Sequence, residues 1–198
     1  MDPSDTDERL VRSFQEGSAE AFEILVNRHG TRVYNLCLRI LGDPEEAADA
    51  SQDTFLAALR KLNSFRGDSA FTTWLHRVAV NACYDSLRKK RRRPLLQIVR
   101  DEDEERPEPS LPAPDHADQV VFSVDVARAL MEIPEEFRTV LVMADVQDLP
   151  YDEIASVLEI PIGTVKSRVF RGRAALGRAL GAWRGEPSGT SRASEEEA

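Results

Sequence analysis

Two clusters of side chains in this chain have types and spacing suited to handling nucleic acid. The first lies between Phe65 and Arg93, FRGDSAFTTWLHRVAVNACYDSLRKKRRR. Phe65-Arg66-Gly67-Asp68-Ser69 reads as a tight loop, with Gly67 free to take positive φ and Asp68 or Ser69 placed to cap a helix. The helix then carries Phe71, Trp74, Leu75, Val78, Ala79 and Ala82 at three-and-four spacing, which marks one buried face. Asn81, an amide within an otherwise apolar turn, has poor local reason to be there beyond a polar helix face. An unbroken basic run, Arg88-Lys89-Lys90-Arg91-Arg92-Arg93, follows and is halted by Pro94. A loop with aromatics at one end and concentrated positive charge at the other could grip a phosphate backbone while handling bases. As a bare charge run it could equally be a solvated helix terminus.

The second cluster is Ile162–Arg171, IGTVKSRVFR. Val165 and Val169, one turn apart, would hold this segment to its domain. Lys166, Ser167, Phe170 and Arg171 then face outward, with Thr164 at the helix start. Arg168, Arg173 and Arg178 add positive charge, some of it available for structural ion pairs. The preceding Tyr151–Leu158 reads as a short helix with Ile154, Ala155 and Leu158 inward, followed by the turn Glu159-Ile160-Pro161. Two short helices crossing at a small residue, joined by a tight turn, form a helix-turn-helix whose second helix enters the major groove. A left-handed backbone at the non-glycine Glu159 of this turn would cost about 1 kcal/mol.

Other elements must position these clusters. Residues 7–29 read as two helices broken at Gly17-Ser18, lined by Leu10, Val11 and Phe14, then Phe22, Leu25 and Val26. A third runs from about Thr31 to Leu41, stopped by Gly42. Asp43-Pro44-Glu45-Glu46 is a helix start: Asp43 caps, Pro44 needs no N–H, and Glu46 can close a capping box. That helix, to about Leu62, has an apolar face at Ala48, Phe55, Leu56 and Leu59, with Asp49, Gln52 and Asp53 on the other side. A later domain begins near Val120, with Val121, Val124, Val126, Ala127, Leu130 and Met131 inward. Pro134 then starts PEEFRTVLVMADVQ, burying Phe137, Val140, Leu141 and Ala144.

The 198 residues carry a net charge of −9, which superficially opposes nucleic-acid binding. Position reverses that impression. Residues 101–118 hold eight acids and one arginine, and residues 185–198 add a net −3, leaving the remainder slightly positive. Residues 95–119, rich in acids and proline, read as a flexible linker, and residues 183–198 as a disordered tail. No apolar run approaches the roughly 18 residues of a membrane span, and the acidic N-terminus does not resemble a secretory signal. The chain is therefore expected in the cytoplasm. Cys37 and Cys83, amid apolar residues, read as buried free thiols rather than a disulfide. The histidines, His29, His76 and His116, are scattered, with His76 expected on the surface. No metal-ligand spacing, phosphate loop or nucleophile motif stands out, so no cofactor, no metal and no enzymatic activity are expected.

The wording of FRGDSAFTTWLHRVAVN and LPYDEIASVLEIPIGTVKSRVFRGRAAL closely resembles the extracytoplasmic-function (ECF) sigma factors, promoter-recognition subunits of bacterial RNA polymerase. The resemblance implies an all-α chain of two small domains: residues 1–94 as sigma region 2 and 120–182 as the helix-turn-helix of region 4. It implies docking of Asp49, Gln52 and Asp53 on the coiled coil of the polymerase's largest subunit, with a further contact at the flap. Asp53 stands where many relatives have Glu, a change of reach only. It implies that Asn63, Phe65, Arg66, Asp68, Ser69 and Asn81 form a pocket for a flipped base of the minus-ten element. Arg88, Lys89 and Lys90 would follow the phosphates. Thr164, Lys166, Ser167, Arg168, Phe170 and Arg171 would read the minus-thirty-five element. An anti-sigma factor is implied as a further partner, and the linker would thread the polymerase cleft. Trp74, on the apolar stripe, is expected in the core rather than stacked on a base. The other class compatible with a helix-turn-helix is a stand-alone repressor or activator, which needs neither the base-capturing loop nor the acidic docking face.

Overall fold

The computed structural model describes residues 5–92 and 124–183, and every regular element among them is helical. The expected linker and, beyond Trp183, the expected tail lie outside the described residues; Trp183 itself closes the last helix. Four helices build the N-terminal half: α1 (Asp7–Gln15), α2 (Ala19–Leu41), α3 (Pro44–Lys61) and α4 (Phe71–Arg92). The C-terminal half has α5 (Val124–Glu132), α6 (Glu135–Leu141), α7 (Tyr151–Leu158) and α8 (Ile162–Trp183). No helix among the described residues is long and apolar enough to cross a membrane.

The helix starts follow local chemistry. Thr6 caps α1 through Arg9 N, and Asp43 Oδ1 accepts from the amides of Glu45 (2.9 Å) and Glu46 (3.0 Å) at the head of α3. The reciprocal half of the expected capping box is replaced: the Glu46 carboxylate instead pairs with Lys90 of α4 at 3.0 Å. Gly42 ends α2 in the left-handed region at φ 78°, as a glycine past a helix end should. Helix α4 begins at Phe71, with Ala70 O accepting from Trp74 N, so Ala70 takes the position expected of Asp68 or Ser69. The left-handed turn expected at Gly67 is present, at φ 77°.

Three expectations fail for reasons of packing. The predicted break near Gly30 is absent, and α2 is one helix of 23 residues. Its buried positions, Ala21, Leu25, His29, Val33, Leu36, Cys37 and Ile40, stay in phase across the glycine, so tertiary burial outweighs the roughly 1 kcal/mol glycine penalty. On α3 the buried stripe is Ala47, Ala50, Thr54 and Ala58, which allows close approach to α2, while Ala48 is exposed, Phe55 only partly buried, and Leu56 and Leu59 lie outward at 41% exposure. His76 is buried, 3% exposed, not on the surface. Smaller differences follow in the C-terminal half. Ala127 is exposed, and the helix begun at Pro134 widens after Leu141 into a π-helical turn, Val142–Val146. Cys37 and Cys83 are free and buried, with the Cys83 thiol pushed upward by its hydrogen bond to Cys37 and by burial.

The two halves share one apolar core rather than standing apart. Met131 of α5 packs on Gly42 so closely that a Cβ there would collide with its sulfur. Core side chains from both halves, including Leu36, Leu75, Leu130 and Met143, form a continuous buried cluster.

Candidate nucleic-acid and polymerase interface

Helix α4 presents two working faces. On one side Trp74, Val78, Asn81, Ala82, Asp85, Arg88 and Lys89 join Asp53, Leu56, Ala57, Arg60 and Lys61 of α3 to line a groove of about 500 Å³. Asn81 is exposed on its wall, not sealed in the core. Within this groove Arg60, Lys61, Arg77, Arg88 and Lys89 outnumber Asp53 and Asp85, so it is net cationic. The loop does not line the groove, contrary to expectation. It joins it through rings: Phe65 packs on Trp74 at 5.2 Å and edge-on to Phe71 at 6.3 Å. Trp74 is therefore both core and groove wall, where the sequence implied core alone.

The loop itself is presented to solvent. Asn63, Arg66, Asp68 and Ser69 are exposed, and Phe65 is half-buried. A residue the sequence reasoning missed fixes it: Gln15 of α1 donates its amide to Leu62 O and to Phe65 O, both at 2.9 Å. Nothing in local sequence ties positions 15 and 65. Beyond the loop, the basic run is partly committed to acids. Arg88 pairs with Asp85 (2.7 Å), Lys90 with Glu46, and Arg91 with Glu135 (2.6 Å), while Lys89 is exposed.

On α3 the acids stand as the spacing requires. Asp49, Gln52 and Asp53 are all exposed. Their helical face continues through Leu56, because positions three and four apart share a face. The outward Leu56 thus sits among the acids and gives a mixed apolar and anionic surface, where the sequence reading had put Leu56 on the apolar side.

In the C-terminal half, Val165 and Val169 are buried and anchor α8. Gly172 lets α8 approach α6, since a Cβ there would lie 3.2 Å from Phe137 O. Lys166, Ser167 and Arg171 are exposed, and Phe170 is 75% exposed. Thr164 lies half-buried in the first turn, its carbonyl accepting from Ser167 Oγ at 2.9 Å. Arg168 and Arg173 are held by acids of their own domain: Arg168 by Glu136 (2.9 Å), Arg173 by both oxygens of Asp145 (2.6 and 3.0 Å). Between α7 and α8, Glu159 takes the left-handed conformation (φ 54°, ψ 41°) expected of the turn.

Among the described residues, an all-helical scaffold with a cationic groove and a helix-turn-helix suits the class of DNA-binding proteins, and comparison places it further. The family models for Sigma-70 region 2 and Sigma-70, region 4 match residues 25–93 and 123–176. The chain is 37% identical over 182 residues to the RNA polymerase sigma-H factor of Pseudomonas aeruginosa, covering 88% of this chain and 93% of that protein. It is 38% identical over 176 residues to the ECF RNA polymerase sigma factor SigM of Mycobacterium tuberculosis, covering 89% and 85%. Among solved structures it is similar to CnrH in complex with the cytosolic domain of CnrY, with TM-score 0.65 and 26% identity over 90% of this chain and 99% of that one. The chain belongs to the sigma-70 family, as an RNA polymerase sigma factor of the ECF group. It binds core polymerase and directs it to promoters.

Proposed function

We propose that the α3–α4 groove and the loop at 63–69 together receive an unstacked base of the minus-ten element, while α8 reads the minus-thirty-five element from the major groove. The observation that carries this is Asn81. A mid-helix amide, exposed on the wall of a cationic groove beside a tryptophan, offers both donor and acceptor to a base edge. Capturing such a base offsets the few kcal/mol lost on unpairing and unstacking. Arg66, Arg88 and Lys89 would supply phosphate contacts, and Phe65 would shape the site through Trp74.

On α3, Asp49, Gln52 and Asp53 dock on the largest subunit's coiled coil, with Leu56 adding apolar contact at the centre of that face. Charge complementarity there steers and orients the encounter. In region 4, Lys166, Ser167, Phe170 and Arg171 contact base edges, and Thr164 the phosphates at the helix start. Arg168, already paired with Glu136, serves the fold first and DNA second. The nucleotidyl chemistry belongs to the polymerase; this chain supplies specificity and works in the cytoplasm. An anti-sigma factor covering the groove and docking faces is the partner this family implies.

The test is a reconstitution. Purified chain added to bacterial core polymerase should co-elute with it and yield transcripts from defined promoters. Tight binding to duplex promoter DNA without any association with core would instead indicate a stand-alone helix-turn-helix regulator.

A further inference from the structure

The other side of α4 meets α5 and α6 at a second groove of about 430 Å³, lined among others by Leu87, Lys90, Met131, Ile133 and Arg138. The sulfur-bearing side chains among the described residues are Cys37, Cys83, Met131 and Met143. Cys37, Cys83 and Met143 are each fully buried at 0% exposure. Met131 is only partly buried, and it lines the groove. A reagent arriving from solvent therefore meets the Met131 thioether first. The thiols are protected further by their chemistry. The hydrogen bond to Cys37 and burial keep the Cys83 thiol protonated, which withholds the thiolate that peroxides attack.

The surroundings of the Met131 sulfur are closed on one side and polar on another. Gly42 of α2 lies against it with no room for even a methyl group. From α6, the buried Arg138 donates Nη1 to Met131 Sδ at 3.3 Å. The same nitrogen donates to Leu130 O at 3.4 Å and Met131 O at 3.3 Å, carbonyls of the last turn of α5. Arg138 Nε is also buried and has no acceptor among the described residues. A thioether accepts a hydrogen bond only weakly, whereas its oxidised form is polar. Gly42 blocks one flank, so an oxygen added to this sulfur is accommodated only by drawing on the guanidinium.

We propose that Met131 is a site of reversible oxidation by hydroperoxides, and that its sulfoxide oxygen competes with the last carbonyls of α5 for Arg138. The step balances without a cofactor. A sulfur lone pair attacks the terminal oxygen of the hydroperoxide, the O–O bond breaks and an S–O bond forms. The proton on the transferred oxygen passes to the departing oxygen, releasing an alcohol, or water when the oxidant is hydrogen peroxide. Sulfur loses two electrons and the peroxide gains them. The product draws Arg138 away from Leu130 O and Met131 O, leaving the end of α5 without that donor. It also wedges α5 against Gly42. Both effects lower stability, because α5 and α2 contribute to one apolar core. The inference rests on these contacts alone and is independent of how the chain reads its promoter.

The experiment treats the full-length chain with hydrogen peroxide and maps oxygen addition by mass spectrometry of its peptides. Sulfoxide should appear at Met131 while Met143, Cys37 and Cys83 stay unmodified. Tm should fall by about 2–8 °C in step with occupancy at residue 131. Methionine sulfoxide reductases of both stereospecificities, added together, should restore it. Met131→Leu, which nearly conserves volume, should keep its own Tm under the same treatment. Reversal is read on the wild-type chain, so the test stands even where the variant folds poorly. Oxidation of Met143 or either cysteine ahead of Met131 would overturn the inference. So would a fully oxidised Met131 that leaves Tm unchanged, or a loss of Tm that the reductases do not reverse.

Discussion

Gln15→Ala isolates the geometry of the loop at 63–69, proposed to capture a base, from every other function of the chain. The side chain sits on α1, far from the groove residues in sequence, and its two hydrogen bonds hold the carbonyls of Leu62 and Phe65 at 2.9 Å. The first bond is part-buried and the second exposed, so their combined net worth is about 1–2 kcal/mol, at the lower end of the range for two neutral bonds. For a domain of this size that corresponds to a fall in Tm of roughly 3–6 °C. If loop order is required for base capture, the same free energy should slow open-complex formation about 5–30-fold. Fluorescence of 2-aminopurine placed in the minus-ten element follows opening, and co-elution with core measures docking. Opening should slow while docking is unchanged. Gln15→Glu, which keeps the length but offers only acceptors to two carbonyl oxygens, should be at least as severe. Unaltered opening in a variant that loses the expected stability would refute the idea that this loop limits melting.

Three further outcomes follow from the same structure. Leu56→Ser should weaken core binding without destabilising the fold, because the side chain is outward among Asp49, Gln52 and Asp53; an unchanged affinity by titration against core would remove Leu56 from the docking face. Arg171→Ala or Lys166→Ala should cost about 1–3 kcal/mol of discrimination at the upstream element, measured as binding to matched against mismatched duplexes. A loss uniform across sequences would reassign them to phosphate positioning. His76 makes the chain acid-sensitive: burial, then Arg32 and His29, lowers its imidazole to about 4 from an ordinary value near 6.5. The unfolded chain binds the proton first, so stability present above pH 6.5 is lost as pH falls toward 4, about 2 kcal/mol of it by pH 5. Urea denaturation at pH 7.5 and 5 should show that loss, and His76→Leu should reduce it.

Local chemistry made much of this fold legible. Asp43-Pro44 announced α3, Gly42 closed α2 at positive φ, and Glu159 adopted the strained turn its position demanded. The recognition helix followed from two valines one turn apart, and those valines are buried. What stayed hidden was long-range or degenerate. An alanine-rich helix such as α3 offers more than one plausible apolar stripe, so the larger Leu56 and Leu59 drew the eye to a face that is outward. The burial of His76 depends on how α2 and α4 pack, which periodicity does not encode. Gln15 meets its carbonyls some fifty residues away. The pairing of Arg77 with Glu159 joins two halves whose connection, read as a tether, implied no contact at all.

The decisive measurement concerns Asn81. Holoenzymes carrying wild-type chain or Asn81→Ala should be compared for core affinity and for opening of one promoter. Equal affinity with opening impaired at least tenfold is the predicted result. Parallel loss of both would make Asn81 a structural residue, and undiminished opening would leave the groove between α3 and α4 without its proposed occupant.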